Sequence, residues 1–237
     1  MKRLVIIFSI LFFSACNVNL FLMNKTINAV DQNQMAYRQS SSDLDEYLVF
    51  IHAGGLDQEM WEDQIKFFRR RYNVITYDVR GHGKSLEMLT SRLEIDDLKG
   101  ILETESIQRI NLVGCSLGAI IALDFVLTYP EYVDQLVLVS PGLVGFQEKN
   151  SEFLALMGTY VQAIQSGDEQ KMVQELKKLN AIGETQRTLK SEIDQYVEGR
   201  LTDFVARKAH LRVPQIKEAS PLDQLKTISV PTLVLSG

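Results

Sequence analysis

The sequence predicts an α/β protein in which a mostly parallel, doubly wound sheet carries an inserted block of helices. Strand-like and helix-like segments alternate as far as Pro141, the order expected for a parallel sheet with helices on both faces. Between Gln147 and Lys217 no strand-like run occurs, and such a run returns at residues 231–237. With 237 residues and 46% hydrophobic content, the chain suits one domain with an inserted subdomain.

The elements that precede the insertion follow one another with short connections. Apolar runs with β-branched and aromatic residues predict strands, and helical spacing of apolar residues predicts helices. Trp61, Ile65 and Phe68 share one face of a predicted helix, and Ser91 with Glu94 forms a capping box that opens another. The predicted order is a hairpin (26–30 and 34–38), a strand (47–51), a helix (58–71), a strand (72–78), a helix (91–103), a strand (110–113) and a helix (119–128).

Residues 1–16 are predicted to be a lipoprotein-type signal peptide rather than part of the fold. A basic start is followed by an apolar run over residues 4–13, and Ser14-Ala15-Cys16 resembles the end of a bacterial lipobox. Such signals place a lipid on the cysteine, so Cys16 would anchor the protein to a bacterial membrane on its extracytoplasmic face. The alternative is an uncleaved anchor over residues 4–23, which the asparagines in this stretch disfavour.

Charge and cysteine content limit the kinds of partner. The formal net charge of −5 and the isoelectric point near 5.3 argue against a nucleic-acid partner. The two cysteines are Cys16, which would carry lipid, and Cys115, so a structural disulfide is not expected. The sequence indicates no cofactor and no metal site, and it carries no signal for an oligomeric state.

The most informative stretch is residues 114–118, which read G-x-S-x-G between a strand-like and a helix-like run. This is the pattern of a nucleophile elbow, in which a serine projects from a sharp turn where a base can reach it. Residues two before and two after the serine must lack bulk because the turn is tight. The helix that follows offers free N–H groups to a developing oxyanion. The alternative for the motif alone is a chance match in an ordinary turn.

Two upstream loops make a chance match the weaker interpretation. Residues 52–55 read H-x-G-G, and residues 78–85 read D-x-R-G-H-G-x-S, each directly after a predicted strand. These loops and the elbow, in this order, resemble the α/β-hydrolase family over about residues 25–237. The family resemblance implies an α/β-hydrolase core over residues 24–146 that continues at residues 218–237.

The resemblance also implies that the inserted helices, residues 147–217, form a cap over the active site. Most of their apolar residues would pack helices together, and a few would line a substrate pocket. In the family the catalytic acid follows the strand that residues 233–236 resemble, and the base histidine comes after one more strand. The printed sequence stops at Gly237, so the expectation is a chain truncated before its final strand and helix, and before its acid and base.

Roles for individual residues follow from the same resemblance. Ser116 is the nucleophile, and the backbone N–H groups of Leu117 and Gly54 are the oxyanion donors. The family usually has glycine at the position of Ala53; if that position requires a positive φ, alanine costs energy there and shifts the loop. Four further residues that match the family would organise loops: His52, Asp78, His82 and Ser85. His210 would have a structural role in the cap.

Two functions follow as hypotheses. The first is a serine hydrolase that acts on a small-molecule acyl substrate, an ester, thioester or lactone, by acyl transfer through Ser116. The second is a non-catalytic, membrane-anchored binding lipoprotein that keeps the fold without the acid and base. The intact elbow favours the first hypothesis, and the missing acid and base favour the second for the printed sequence.

Overall fold

The computed structural model describes residues 22–28, 34–40, 44–85, 94–142, 150–179, 190–208 and 221–235. The predicted signal peptide with Cys16, the capping-box residue Ser91, and His210 lie outside these residues. The strands are β1 (Leu22–Asn28), β2 (Gln34–Ser40), β3 (Tyr47–Ile51), β4 (Asn73–Tyr77), β5 (Ile110–Cys115), β6 (Val133–Val139) and β7 (Thr232–Leu235). The helices are α1 (Glu62–Phe68), α2 (Glu94–Thr104), α3 (Leu117–Thr128), α4 (Ser151–Ser166), α5 (Glu169–Leu179), α6 (Lys190–Ala206) and α7 (Pro221–Gln224).

The strands form one sheet in the order β1-β2-β4-β3-β5-β6-β7. Five neighbouring strands of the sheet pair in parallel, in the order β4, β3, β5, β6 and β7. Strands β1 and β2 form an antiparallel hairpin, and β2 joins the hairpin to the sheet by antiparallel pairing with β4. The predicted fold class, a mostly parallel doubly wound sheet, is confirmed. Parallel strands need both faces covered, which explains why β4 is buried along its whole length.

Helices on the two faces close separate apolar clusters against the sheet. On one face, α2 and α3 bury Leu98, Ile101 and Phe125 against the central strands. On the other, the short 3-10 turn before α1 and α1 itself bury Trp61 and Ile65 against Phe50. The predicted face of Trp61, Ile65 and Phe68 is therefore confirmed, although the helix ends at Phe68 rather than Arg71.

The segment after β6 is helical wherever the structure describes it, as the sequence predicts. Helices α4, α5 and α6 share an apolar cluster that includes Met172, Leu176 and Leu201 and reaches the core loop at Ala53 and Leu56. The chain then returns to the sheet through β7, which pairs in parallel with β6. No helix within the described ranges is both long enough and apolar enough to cross a membrane.

Candidate active site

Ser116 occupies a strained turn between β5 and α3. Its backbone has φ 50° and ψ −109°, a region that side chains other than glycine seldom adopt and that is concentrated at functional sites. The Ser116 N–H donates to the Val139 carbonyl at 2.9 Å, which ties the turn to the end of β6. The residue is exposed and lies directly after the carboxyl end of β5.

The two glycines of the motif are required by close backbone contacts. A Cβ on Gly114 would lie 2.1 Å from the Gly118 carbonyl oxygen, and a Cβ on Gly118 would lie 2.3 Å from the Ile51 carbonyl oxygen. Real Cβ atoms essentially never approach so closely. The G-x-S-x-G spacing is thus explained by sterics: α3 starts directly against β5 and β3, and only glycine leaves room.

The loop after β3 presents one free N–H beside the elbow. Of three successive N–H groups, that of Ala53 donates to Met60 Sδ at 3.2 Å and that of Gly55 donates to His82 Nε2 at 3.0 Å. The Gly54 N–H between them donates no hydrogen bond within the described residues. A Cβ placed on Gly54 would lie 3.5 Å from Leu117 Cβ, so the structure brings Gly54 and Leu117 together.

Leu117 is the first residue of α3, and an N–H at that position has no partner inside the helix. Its N–H and that of Gly54 are therefore both available to an oxygen near Ser116, which is the arrangement an oxyanion hole requires. The expected energetic cost at Ala53 is not found, because Ala53 does not have a positive φ; the left-handed residue of this loop is Gly55, with φ 77°.

Both described histidines are fixed in the loops rather than available as bases. His52 Nε2 accepts from the Val79 N–H at 2.8 Å, and its Nδ1–H donates to the Ala53 carbonyl. Burial lowers the pKa of His52 to about 4, so it stays neutral. His82 Nε2 accepts from Gly55, and its Nδ1–H donates to the Arg80 carbonyl at 2.9 Å. The predicted loop-shaping roles of these histidines are confirmed.

Asp78 and Ser85 organise the second loop in the same way. The Asp78 carboxylate accepts from the N–H groups of Gln58 at 2.9 Å and Lys84 at 2.8 Å, while burial raises its pKa. Ser85 Oγ donates to the Asp78 carbonyl and accepts from the Ala36 N–H. A Cβ on Gly83, whose φ is 51°, would collide with the Asp78 carboxylate. This contact explains why the second glycine of the D-x-R-G-H-G-x-S loop, Gly83, cannot carry a side chain.

Cys115 is the other potential nucleophile in the elbow. Burial raises the pKa of its thiol to about 11, so the thiol is protonated near neutral pH, and a protonated thiol is a poor nucleophile. Serine at position 116 is exposed and cysteine at 115 is half-buried. The geometry therefore favours the hydroxyl for chemistry at this turn.

No described histidine or carboxylate hydrogen-bonds the Ser116 hydroxyl, and residues 140–142, which follow β6, contain no carboxylate. The structure thus brings together three of the predicted site residues, Ser116, Leu117 and Gly54, without a base within the described ranges. Across those ranges, no group of three or more histidine, cysteine or acidic side chains could hold a metal ion.

Beside the loop that carries Gly54, the structure brings together three residues that the sequence did not indicate as part of the site: Asp57, Tyr196 and Arg200. Asp57 ends the loop that carries Gly54, and its carboxylate is contacted by Tyr196 and Arg200 of α6. These pairs are 139 and 143 positions apart in the chain, and a single sequence carries no signal for such distant partners. An aspartate before a short helical turn indicates only an N-cap, which Asp57 also provides to Glu59.

A strained serine after a parallel strand, two close-packed glycines and two free N–H groups define an α/β-hydrolase type of nucleophile elbow. The family profile described as the alpha/beta hydrolase fold matches residues 46–237. The chain therefore belongs to the α/β-hydrolase-fold family.

Several relatives are known hydrolases. The chain is 31% identical over 208 residues to a 2-hydroxy-6-oxononadienedioate/2-hydroxy-6-oxononatrienedioate hydrolase of Paraburkholderia phymatum, and the match covers 81% of this chain and 70% of that protein. A shorter match, 36% identical over 78 residues, is to 3-oxoadipate enol-lactonase 1 of Acinetobacter baylyi and covers 32% of this chain and 29% of that protein.

Solved structures agree on the fold. An enol-lactonase from Burkholderia xenovorans LB400 superposes with a TM-score of 0.71 at 18% identity and covers 90% of this chain and 81% of its own. A thermophilic esterase from Thermogutta terrifontis gives a TM-score of 0.68 at 20% identity over 91% of this chain and 80% of that chain. At these identities the likeness concerns the fold alone.

Proposed function

We propose that this protein is a serine hydrolase that cleaves an ester, thioester or lactone by acyl transfer through Ser116. The observation that carries the proposal is the strained, exposed serine at the start of α3, beside the free N–H groups of Leu117 and Gly54. A fold alone does not define an activity, but this combination supports acyl transfer, because an exposed serine hydroxyl could attack a carbonyl carbon while the two N–H groups stabilise the resulting oxyanion.

In the proposed reaction Ser116 Oγ attacks the carbonyl carbon of the substrate and loses its proton to a general base. The carbonyl oxygen becomes an oxyanion and accepts hydrogen bonds from Leu117 and Gly54, which stabilise it in the transition state. The tetrahedral intermediate then collapses, the bond to the leaving oxygen or sulfur breaks, and that atom takes up the proton from the base. An ester or thioester releases a free alcohol or thiol, whereas a lactone opens and keeps the new hydroxyl on the acyl group. Water hydrolyses the acyl-enzyme and regenerates Ser116. The reaction requires a general base, and neither described histidine can act as one, because the ring nitrogens of both are hydrogen-bonded to backbone groups.

Substrate class is tested with the full-length protein and a panel of four compounds. The panel contains a p-nitrophenyl ester, an acyl thioester, an enol-lactone and the dienedioate named for the Paraburkholderia relative. We expect turnover of at least one ester, thioester or lactone, and stoichiometric loss of that turnover on treatment with a fluorophosphonate. A folded protein that turns over no member of the panel and does not react with the fluorophosphonate would contradict the proposal.

The second candidate, a binding protein without catalysis, is favoured by one observation: both described histidines are committed to backbone hydrogen bonds. For such a protein, the panel compounds would bind without being cleaved. Equilibrium binding together with absent turnover therefore separates it from the hydrolase.

We further propose that the protein is a bacterial lipoprotein held on the extracytoplasmic face of a membrane by lipid on Cys16. The support is the basic start, the apolar run and the Ser14-Ala15-Cys16 sequence. Metabolic labelling with a fatty-acid analogue in the native host should label the wild type and leave Cys16→Ser unlabelled. Cys115→Ser is the matched control and should keep both the label and the membrane location. Equal labelling of wild type and Cys16→Ser would refute the lipid on Cys16.

A further inference from the structure

The carboxylate of Asp57 joins the loop after β3 to helix α6 of the inserted segment. Asp57 is almost fully buried, and its Oδ1 accepts from the Tyr196 hydroxyl at 2.7 Å. Arg200 Nε lies 3.1 Å from the other oxygen, and the same guanidinium reaches Glu59 at 3.2 Å. Burial and the Asp57 charge raise the pKa of Tyr196, so its hydroxyl stays protonated and can donate.

Two apolar contacts of α6 act on the same loop. Leu201 lies so close to Gly55 that a Cβ on that glycine would be 2.6 Å from Leu201 Cδ2. Phe204 stacks on the His82 ring with centroids 4.8 Å apart, and His82 in turn accepts from the Gly55 N–H. Helix α6 therefore acts on Gly55, the residue that follows Gly54, directly through Leu201 and indirectly through Phe204 and His82.

We propose that Tyr196 and Arg200, acting through Asp57, are positioning residues that hold the Gly54 N–H in place as an oxyanion donor. Docking of α6 and completion of the oxyanion hole are then coupled, because α6 binds Asp57 in the same short loop that carries Gly54. This inference rests on the proposed function of Ser116.

The hydrogen-bond partners of Asp57 explain how it can link α6 to the loop that carries Gly54. Its Oδ1 also accepts from the Glu59 N–H at 3.0 Å, so the carboxylate fixes the start of the 3-10 turn and the end of the oxyanion loop together. If its contacts with α6 are lost, the loop around Gly54 keeps the hydrogen bonds of Ala53 to Met60 and of Gly55 to His82 but loses its buried polar link to α6. A donor displaced by about 1 Å can lower a rate about a hundredfold.

The test uses Tyr196→Phe, Arg200→Gln and the double variant in the full-length protein. Lys177→Gln is the matched control, because it removes a cap cation that pairs with Glu198 of α6 at 2.9 Å without touching the core. A neutral fluorophosphonate is used to measure the rate of adduct formation at Ser116. We expect each single variant to react severalfold more slowly and the double variant about ten- to a hundredfold more slowly, with Lys177→Gln at the wild-type rate.

Two further readouts separate positioning from a general loss of structure. Thermal unfolding should give midpoints for Tyr196→Phe and Lys177→Gln that are both close to that of the wild type. Arg200→Lys, which keeps a charge for Asp57, should recover part of the rate that Arg200→Gln loses. Hydrogen exchange of peptides covering residues 53–57 should be faster in the double variant and unchanged in Lys177→Gln.

The outcomes distinguish failure of this inference from failure of the proposed function. If the wild type reacts at Ser116 and the double variant reacts equally fast, the positioning role is wrong and the hydrolase proposal stands. If the wild type does not react at Ser116, the hydrolase proposal fails and the catalytic part of the inference fails with it. Unchanged exchange at residues 53–57 in the double variant would overturn the structural part independently of any chemistry.

Discussion

Replacing Ser116 by alanine is expected to abolish turnover of the best substrate found for the full-length protein. In serine proteases, removing the nucleophile costs on the order of 10⁶ in kcat, and we expect a loss that reaches the detection limit. Cys115 cannot compensate, because burial raises the pKa of its thiol to about 11. Initial rates of hydrolysis across a range of enzyme concentrations provide the measurement.

Ser140→Ala is the control for this prediction. Ser140 follows β6, the strand beside β5, and also has a positive φ, of 45°, so the control reproduces a serine-to-alanine change in a strained turn at the same end of the sheet. We expect its kcat/KM to stay within about twofold of wild type, a change of about 0.4 kcal/mol. Turnover that survives Ser116→Ala, or that falls equally in both variants, would contradict the nucleophile assignment.

Gly118→Ala is expected to destabilise the whole domain as well as the elbow. The new Cβ would lie 2.3 Å from the Ile51 carbonyl oxygen and 2.7 Å from that of His52. Both atoms are backbone at the end of β3, so relief requires α3 and β3 to separate. Overpacking of this kind costs roughly 3 kcal/mol, a large part of the about 5–15 kcal/mol that stabilises a typical domain. Chemical denaturation followed by circular dichroism measures the loss.

Gly158→Ala is the matched control, and it is expected to change the free energy of unfolding in the opposite direction. Gly158 lies inside α4, and a Cβ there would meet nothing within 4 Å. Because alanine favours a helix interior over glycine by about 1 kcal/mol, Gly158→Ala should raise the free energy of unfolding. Equal effects of the two substitutions would show that the close packing at Gly118 is not what the motif requires.

The sequence predicts the elbow well because its requirements are local. Gly114, Ser116 and Gly118 are set by contacts within one strand-turn-helix unit and the adjacent strand, so their spacing is visible in five residues. The alternation of strands and helices likewise follows from burial on two faces of the sheet. The loop roles of His52 and His82 were predicted through the family resemblance and agree with their hydrogen bonds.

The cap was predicted less completely. Helix α5 has a strongly charged sequence and buries few residues, notably Met172 and Leu176, so it is marked in the sequence by few apolar residues. The contacts of Tyr196 and Arg200 with Asp57 join segments about 140 positions apart. They depend on how α6 docks on the loop after β3, and no local pattern encodes that docking. The energetic cost at Ala53 depended on a positive φ at that position, and this condition is not met, because the left-handed residue is Gly55, two positions further along.

The central claim is that Ser116 is the nucleophile of an acyl-transfer site, and mass spectrometry of the phosphonylated protein tests it most directly. The full-length protein is treated with a fluorophosphonate, digested, and the modified residue is located by fragmentation. The account predicts one adduct, on Ser116, that is absent from Ser116→Ala and present in Ser140→Ala. An adduct on any other residue, or no adduct on a protein that unfolds cooperatively, would contradict it.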